Sequence, residues 1–251
     1  MVDIICRGYR FRAVQAILFD KDGTLVDSFG FLRELAQKRA RLVDARIPGV
    51  GEPLLMAFGI HDQQLDPTGL MAVGGRRDNV IAAAAYVAET GRSWSESLAI
   101  AHAAFTEADN YLQRNDQTCP LFPGSDAVLR SLAAAGLKLG ILSADSTANV
   151  IAFAERYQLT PVLQLMQGVE ATGPAKPDPE LFQQACINLG LTPSVTLMVG
   201  DSALDFAMAR QAGAAGVVGI AWGQAAAPAL QLADVAIADL REIAIADDPP
   251  L

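Results

Sequence analysis

The chain is predicted to be an α/β protein, a Rossmann-like doubly wound parallel sheet interrupted by an all-helical cap domain. Three observations carry this. Short apolar runs recur at Val14 to Phe19, Leu137 to Leu142, Val162 to Met166, Val195 to Val199, Val217 to Trp222 and Val235 to Ile237, with the length and content of buried strands. Stretches with helical periodicity flank the later runs, and strands alternating with helices of about 10–15 residues build parallel sheets. From Asp27 to Thr118 there are helical signals at Leu32 to Ala45, Asp78 to Thr90 and Ser95 to Gln113, with no strand signal.

Taken in chain order, Val2 to Arg12 reads as an extra edge strand paired with Val14 to Phe19, with its turn near Gly8. The first apolar run ends at Asp20, which places a carboxylate at the C-terminal end of a strand. The predicted division is then 1–26 and 119–251 for the core and 27–118 for the helical cap. The chain leaves the sheet at the loop holding Asp20 and Asp22 and returns near Leu121-Phe122-Pro123-Gly124, so the insertion is expected to act as a lid over the site. Pro123, Gly124 and Ser125 introduce a helix from about Asp126 to Ala135. Asp178 and Pro179 supply an N-cap followed by proline at the first helical position, and Gly190 stands where a C-terminal glycine belongs. An alanine-rich stretch runs from Ala225 to Ala229, and the acidic end Asp247 to Leu251 is expected to fray.

With 251 residues of which 51% are hydrophobic, the chain can bury one large core that carries an insertion. No apolar run approaches the roughly 20 residues that cross a bilayer, and no cleavable leader opens the chain. The expectation is a soluble cytoplasmic protein, monomer or homodimer, with no membrane partner. Cys6, Cys119 and Cys186 lie far apart without ligand spacing, which predicts buried free thiols rather than disulfides or a zinc site. A net charge of −9 with no basic stripe argues against nucleic acid. It also requires a site that handles phosphate to bring its own local positive charge.

Asp20 and Asp22 stand two residues apart in Phe19-Asp20-Lys21-Asp22-Gly23-Thr24-Leu25. While the backbone stays extended, their side chains share one side and Lys21 turns away. Beyond the carboxyl ends of strands is where ligands bind in open α/β sheets. Alone, the fragment is equally a turn or a calcium-type loop, although no glutamate stands at the twelfth position that an EF-hand requires. Ser143 ends a strand ahead of Ala144-Asp145-Ser146, where a hydroxyl and free amides suit a phosphate oxygen or simply cap the helix from about Thr147. Lys176 sits in the proline-rich loop Gly173-Pro174-Ala175-Lys176-Pro177-Asp178, either solvated or presented to crowded carboxylates. Asp201 follows the run Val195 to Val199, and Asp205 comes one helical turn later. Both suit a cation, and Ser202 with Asp205 also forms a capping box.

These segments, in this order, resemble the haloacid dehalogenase superfamily of phosphohydrolases. Its four motifs match Asp20-x-Asp22-Gly23-Thr24, Ser143, Lys176 and Gly200-Asp201-x-x-x-Asp205, and the general likeness is to phosphoglycolate phosphatase-like members with a helical cap. The resemblance implies that Asp20 is a nucleophile, that Asp22 gives and then takes a proton, and that Thr24, Ser143, Ala144 and Lys176 hold the phosphoryl group. It further implies Mg²⁺ held by Asp20, the Asp22 carbonyl and Asp201, with Asp205 in support, acting on a small phosphorylated metabolite such as phosphoglycolate or a sugar phosphate. Dehalogenating members lack a carboxylate at the position of Asp22, which favours a phosphatase; a phosphomutase is the alternative. In the cap, Arg76 and Arg77 could clamp a substrate carboxylate or merely open a helix capped by Asp78 or Asn79. Lys38, Arg39 and Arg41 read as a solvated helix face, and Lys21 as a bystander.

Overall fold

The structure is a computed structural model. It describes residues 1–170, 172–222 and 228–246, with the backbone alone for residues 228 and 229. The tail expected to fray, residues 247–251, and most of the alanine-rich stretch lie outside the described residues. The chain divides into two compact units, Met1–Asp27 with Leu121–Leu251, and Ser28–Pro120.

In chain order, the first unit begins with β1 (Val2–Cys6), β2 (Tyr9–Val14) and β3 (Ala16–Phe19). The inserted unit holds α1 (Phe29–Asp44), α2 (Gly51–Ala57), β4 (Ile60–His61), β5 (Gln64–Leu65), α3 (Leu70–Val73), α4 (Arg76–Glu89) and α5 (Trp94–Tyr111). The first unit resumes with α6 (Ser125–Ala134), β6 (Lys138–Leu142), α7 (Thr147–Arg156), β7 (Leu165–Gln167), α8 (Pro179–Asn188), β8 (Thr196–Gly200), α9 (Ala203–Ala212), β9 (Gly216–Ile220), β10 (Val235–Ile237) and β11 (Ile243–Ile245).

The main sheet has the order β10-β9-β8-β3-β6-β7, and all its pairings are parallel. β3 is central, with Phe19 opposite Ile141 on one side and Val199 on the other. Helices cover such a sheet on both faces, so every residue of β3 is buried and apolar rather than alternating. On one face Leu18, Met198 and Leu142 pack with Phe182 and Ala185 of α8 and Phe206 of α9. Full burial of Phe182 and Phe206 stabilises the unit by about 1.5–3 kcal/mol each. α8 starts on the side chain of Asp178, which accepts from the Glu180 amide, with Pro179 at its first position.

The N-terminal segment departs from the edge strand expected of Val2 to Arg12. β1 pairs with β2 on one side and β11 on the other, in a separate three-stranded antiparallel sheet of order β11-β1-β2. β3 is already flanked by β6 and β8, so it has no open edge to offer. The first apolar run is accordingly split, Val14 closing β2 and Ala16 opening β3. The run Val162 to Met166 also divides. Thr160–Val162 is a 3₁₀ turn with Pro161 inside it, and the strand is confined to Leu165–Gln167, because proline supplies no amide to the ladder.

The inserted unit is helical except for one hairpin, β4 with β5, where no strand had been expected. Asp62 and Gln63 form its two-residue turn with φ of 47 and 65, a left-handed turn built without the glycine that usually announces it. Arg39 is buried rather than on a solvated face. Its guanidinium lies 4.4 Å from the Phe105 ring centroid and 3.2 Å from Asp109, since α1 packs on α5 and this position faces the contact. The three cysteines are buried and free. Among the described residues no helix is long and apolar enough to cross a membrane.

Candidate active site

The site is assembled where β3, β6 and β8 end. Asp20 follows β3, and its amide still donates to the Val199 carbonyl at 2.9 Å, so the backbone at Asp20 is fixed by the ladder. The chain then folds back: the amides of Leu25 and Val26 donate to the Lys21 carbonyl, and the Gly23 amide to the Val26 carbonyl. Phe122 donates its amide to the Leu25 carbonyl, and the Trp222 indole donates to the Thr24 carbonyl at 3.1 Å. Phe122 and Trp222 stack with ring centroids 4.3 Å apart, which clasps this loop from outside.

Carboxylates crowd one small volume. Oxygens of Asp20, Asp201 and Asp205 all lie within 4.8 Å of one another. Two glycines permit it. A Cβ on Gly23, whose φ is +80, would sit 2.2 Å from an Asp201 oxygen, and one on Gly200 would sit 2.7 Å from the Asp205 carboxyl. Lys176 enters between them, with Nζ 2.6 Å from Asp20 Oδ1 and 2.6 Å from Asp205 Oδ1. Asp205 is fully buried; its Oδ2 accepts from the Ser202 hydroxyl at 2.6 Å and amide at 3.3 Å, so the capping box and the site use the same carboxylate.

The electrostatics follow from burial. Burial pushes the Asp20 carboxyl up to about 6, against the Lys176 ammonium that pulls it down. Burial, then the charges of Asp20 and Asp205, hold Asp201 well above the usual carboxylate range. Burial would lower Lys176, but the two carboxylates beside it keep its ammonium above the ordinary lysine range. One lysine against three carboxylates leaves the cluster short of positive charge. An all-oxygen donor set of this kind fits a hard divalent cation.

Of the other residues singled out in the sequence, Ser143 is buried at the end of β6, and its Oγ accepts from the Asp145 amide at 3.2 Å. Ala144 follows it, half-buried. Thr24 is buried, with its hydroxyl 3.4 Å from Asp201 Oδ1. Arg76 and Arg77 belong to the inserted unit. The Arg76 guanidinium is on Asp109, Arg77 is exposed, and Asp78 caps α4 by accepting from the Gly75 amide at 2.9 Å.

Lys21 is not the outward-pointing bystander expected. It is 1% exposed, with Nζ 2.5 Å from Asp22 Oδ2 and 3.3 Å from Asp145 Oδ2. The alternation that turned it away from Asp22 holds only inside a strand, and β3 stops at Phe19. Asp145, read only as a helix-capping residue, is the partner the sequence did not disclose.

A parallel α/β sheet here gathers carboxylates and a buried lysine at its strand ends, the place where ligands bind in folds of this kind. Residues 14–213 match the family of haloacid dehalogenase-like hydrolases. The chain belongs to that family of hydrolase enzymes. It is 27% identical to phosphoglycolate phosphatase of Rhodospirillum rubrum over 90% of this chain and 87% of that one. Among solved structures it is similar to a predicted phosphoglycolate phosphatase from Haemophilus somnus, with a TM-score of 0.68 and 22% identity over 91% of this chain and 95% of that one. It is also similar to β-phosphoglucomutase from Clostridium difficile, with a TM-score of 0.60 and 16% identity over 89% and 90% of the two chains. These solved structures share the fold.

Proposed function

We propose that the chain is a Mg²⁺-dependent phosphatase of a small phosphorylated metabolite, a phosphoglycolate-like compound or a sugar phosphate, working through an aspartyl-phosphate on Asp20. The observation that carries this reading is the Lys176 ammonium 2.6 Å from both Asp20 and Asp205, beside Asp201 and at the end of the central strand. Such a cluster repels a phosphate dianion unless a cation joins it. Mg²⁺ would be held by Asp20, the Asp22 carbonyl and Asp201, and when bound supplies the charge that neutralises phosphoryl oxygens.

An Asp20 carboxylate oxygen attacks phosphorus, and the ester P–O bond breaks. The leaving oxygen takes the proton carried by Asp22 and departs as an alcohol. Asp22, now a carboxylate, takes a proton from water as that water's oxygen attacks the phosphorus of the aspartyl-phosphate. The Asp20–phosphate bond breaks, orthophosphate leaves and Asp22 is again protonated. Lys176, Ser143 and the amides near Ala144 hold the phosphoryl oxygens, and Lys176 keeps Asp20 oriented.

The test is orthophosphate release from p-nitrophenyl phosphate and a panel of phosphorylated metabolites with Mg²⁺. Turnover abolished by EDTA and restored by Mg²⁺ supports the reading; no release under any condition overturns it. Positional isomers of a sugar phosphate appearing without free phosphate would instead indicate a phosphomutase using the same Asp20 chemistry.

A second readout needs no turnover. The Asp20 carboxyl at about 6 in the metal-free fold, against an ordinary 3.8, means the folded state holds the extra proton. That contribution to stability is fully present below about pH 4 and is lost as pH rises through about 6. Mg²⁺ held by the same carboxylate would compete with that proton, so at a fixed concentration of ~100 times its Kd at pH 7.5 it is expected to raise Tm by roughly 5–10 °C at that pH. At pH 5 the rise is expected to be smaller. Thermal melts with and without Mg²⁺ at the two pH values check this, and an equal rise at both would contradict it.

A further inference from the structure

Lys21 is a charged side chain that the chemistry above does not use, yet it is among the largest fully buried side chains of the protein. An ammonium removed from water is retained only where carboxylates and packing offset its lost hydration. Here both are present. Nζ lies 2.5 Å from Asp22 Oδ2, 3.3 Å from Asp145 Oδ2 and 5.9 Å from the centroid of the Phe153 ring.

Asp145 is itself firmly held. Its Oδ1 accepts from the Ser146 amide at 2.8 Å and from the Asn149 side chain at 2.7 Å, and its carbonyl accepts from the Val169 amide at 2.8 Å. It follows β6, the strand beside β3. Asp22 lies in the tight loop just past the end of β3, where its backbone bridges to Val26. The order of attachment is therefore an anchored carboxylate, then an ammonium, then the half-buried carboxylate assigned to proton transfer.

We propose that Lys21 is a positioning residue for this reaction, tethering the Asp22 carboxylate to Asp145 so that it meets the leaving oxygen in one orientation. The proposal rests on the reading of Asp22 as proton carrier. Lys21 touches neither substrate nor phosphoryl group; it acts through Asp22. A proton donor displaced by about an ångström loses much of the 10²–10⁴-fold that general acid–base catalysis contributes.

The experiment compares phenyl phosphate with p-nitrophenyl phosphate, two substrates of similar shape whose leaving oxygens differ in their need for a proton. In Lys21→Met, kcat/KM for phenyl phosphate is expected to fall at least about tenfold more than for p-nitrophenyl phosphate. KM should stay within about threefold. Asp145→Asn, which leaves the ammonium in place, should shift the ratio in the same direction by less, and the double variant should shift it no further than Lys21→Met. Equal losses on both substrates, or an unchanged ratio in Lys21→Met with Asp145→Asn also unchanged, overturn the proposal. Asp22→Asn is measured alongside. If it widens the ratio while Lys21→Met does not, the Lys21 assignment fails and the function stands. If Asp22→Asn leaves the ratio as it was, the reading of Asp22 fails and the tether fails with it.

Discussion

Asp20→Asn is expected to fold and to lose turnover by a factor on the order of 10⁴ or more, because it deletes the proposed nucleophile while conserving shape. The carboxylate removed is one of three crowded together, so its loss relieves repulsion on Asp201 and Asp205, and Lys176 keeps its contact with Asp205 at 2.6 Å. Tm should therefore be maintained or raised in metal-free protein. Two measurements check this: orthophosphate release per enzyme, and acid-quenched wild-type protein, in which a hydroxylamine-sensitive phosphate should be found on Asp20 and absent from the variant. A variant that turns over at the wild-type rate would mean that the chemistry lies elsewhere.

Lys176→Met should damage both rate and stability. Its ammonium bridges Asp20 and Asp205 with a side chain 4% exposed, and Asp205 is wholly buried. Removing one partner of such a pair leaves an uncompensated buried charge, at a cost of about 3–5 kcal/mol, or roughly 10 °C in Tm for a protein of this size. The lost donor to the phosphoryl group should lower kcat by about 10²–10³. The sign of the pH effect separates charge from packing. Protonation of Asp20, whose carboxyl already sits near 6, removes part of the repulsion, so the deficit in Tm should shrink between pH 7.5 and pH 5. A deficit independent of pH would assign the loss to packing instead.

Asp20, Lys176, Asp201 and Asp205 could be singled out from sequence because each is tied to backbone punctuation that reads locally. Asp20 and Asp201 end apolar runs, Asp205 completes a capping box, and Lys176 stands in a proline-rich loop before an N-cap. The structure gathers the three carboxylates within 4.8 Å of one another, with Lys176 2.6 Å from Asp20 and from Asp205. The burial of Lys21 is not legible in the sequence, because side-chain alternation holds only as far as Phe19, where β3 ends. Arg39 was misread because a charged residue on a helix is usually solvated, and only the packing of α1 against α5 shows that it is not. The sheet of β1, β2 and β11 was hidden for a different reason: Ile4 pairs with Ile245 from the far end of the sequence, and no local pattern reports a partner so distant. The turn at Asp62 and Gln63 has glutamine where a glycine usually completes an Asp-Gly turn, so its sequence does not announce a hairpin.

The central place of β3 also sets the order in which the molecule can be made. Ala16 pairs with Lys138 on one side and Thr196 on the other, so the strand that leads into Asp20 waits for neighbours translated long after it. Parallel pairing over such separations closes slowly. The inserted unit, contiguous from Ser28 to Pro120, is under no such delay and can condense during translation. An apolar strand left unpaired in that interval is where a destabilised variant would aggregate, so substitutions that slow closure of β6 or β8 onto β3 should lower soluble yield more than their equilibrium stabilities indicate.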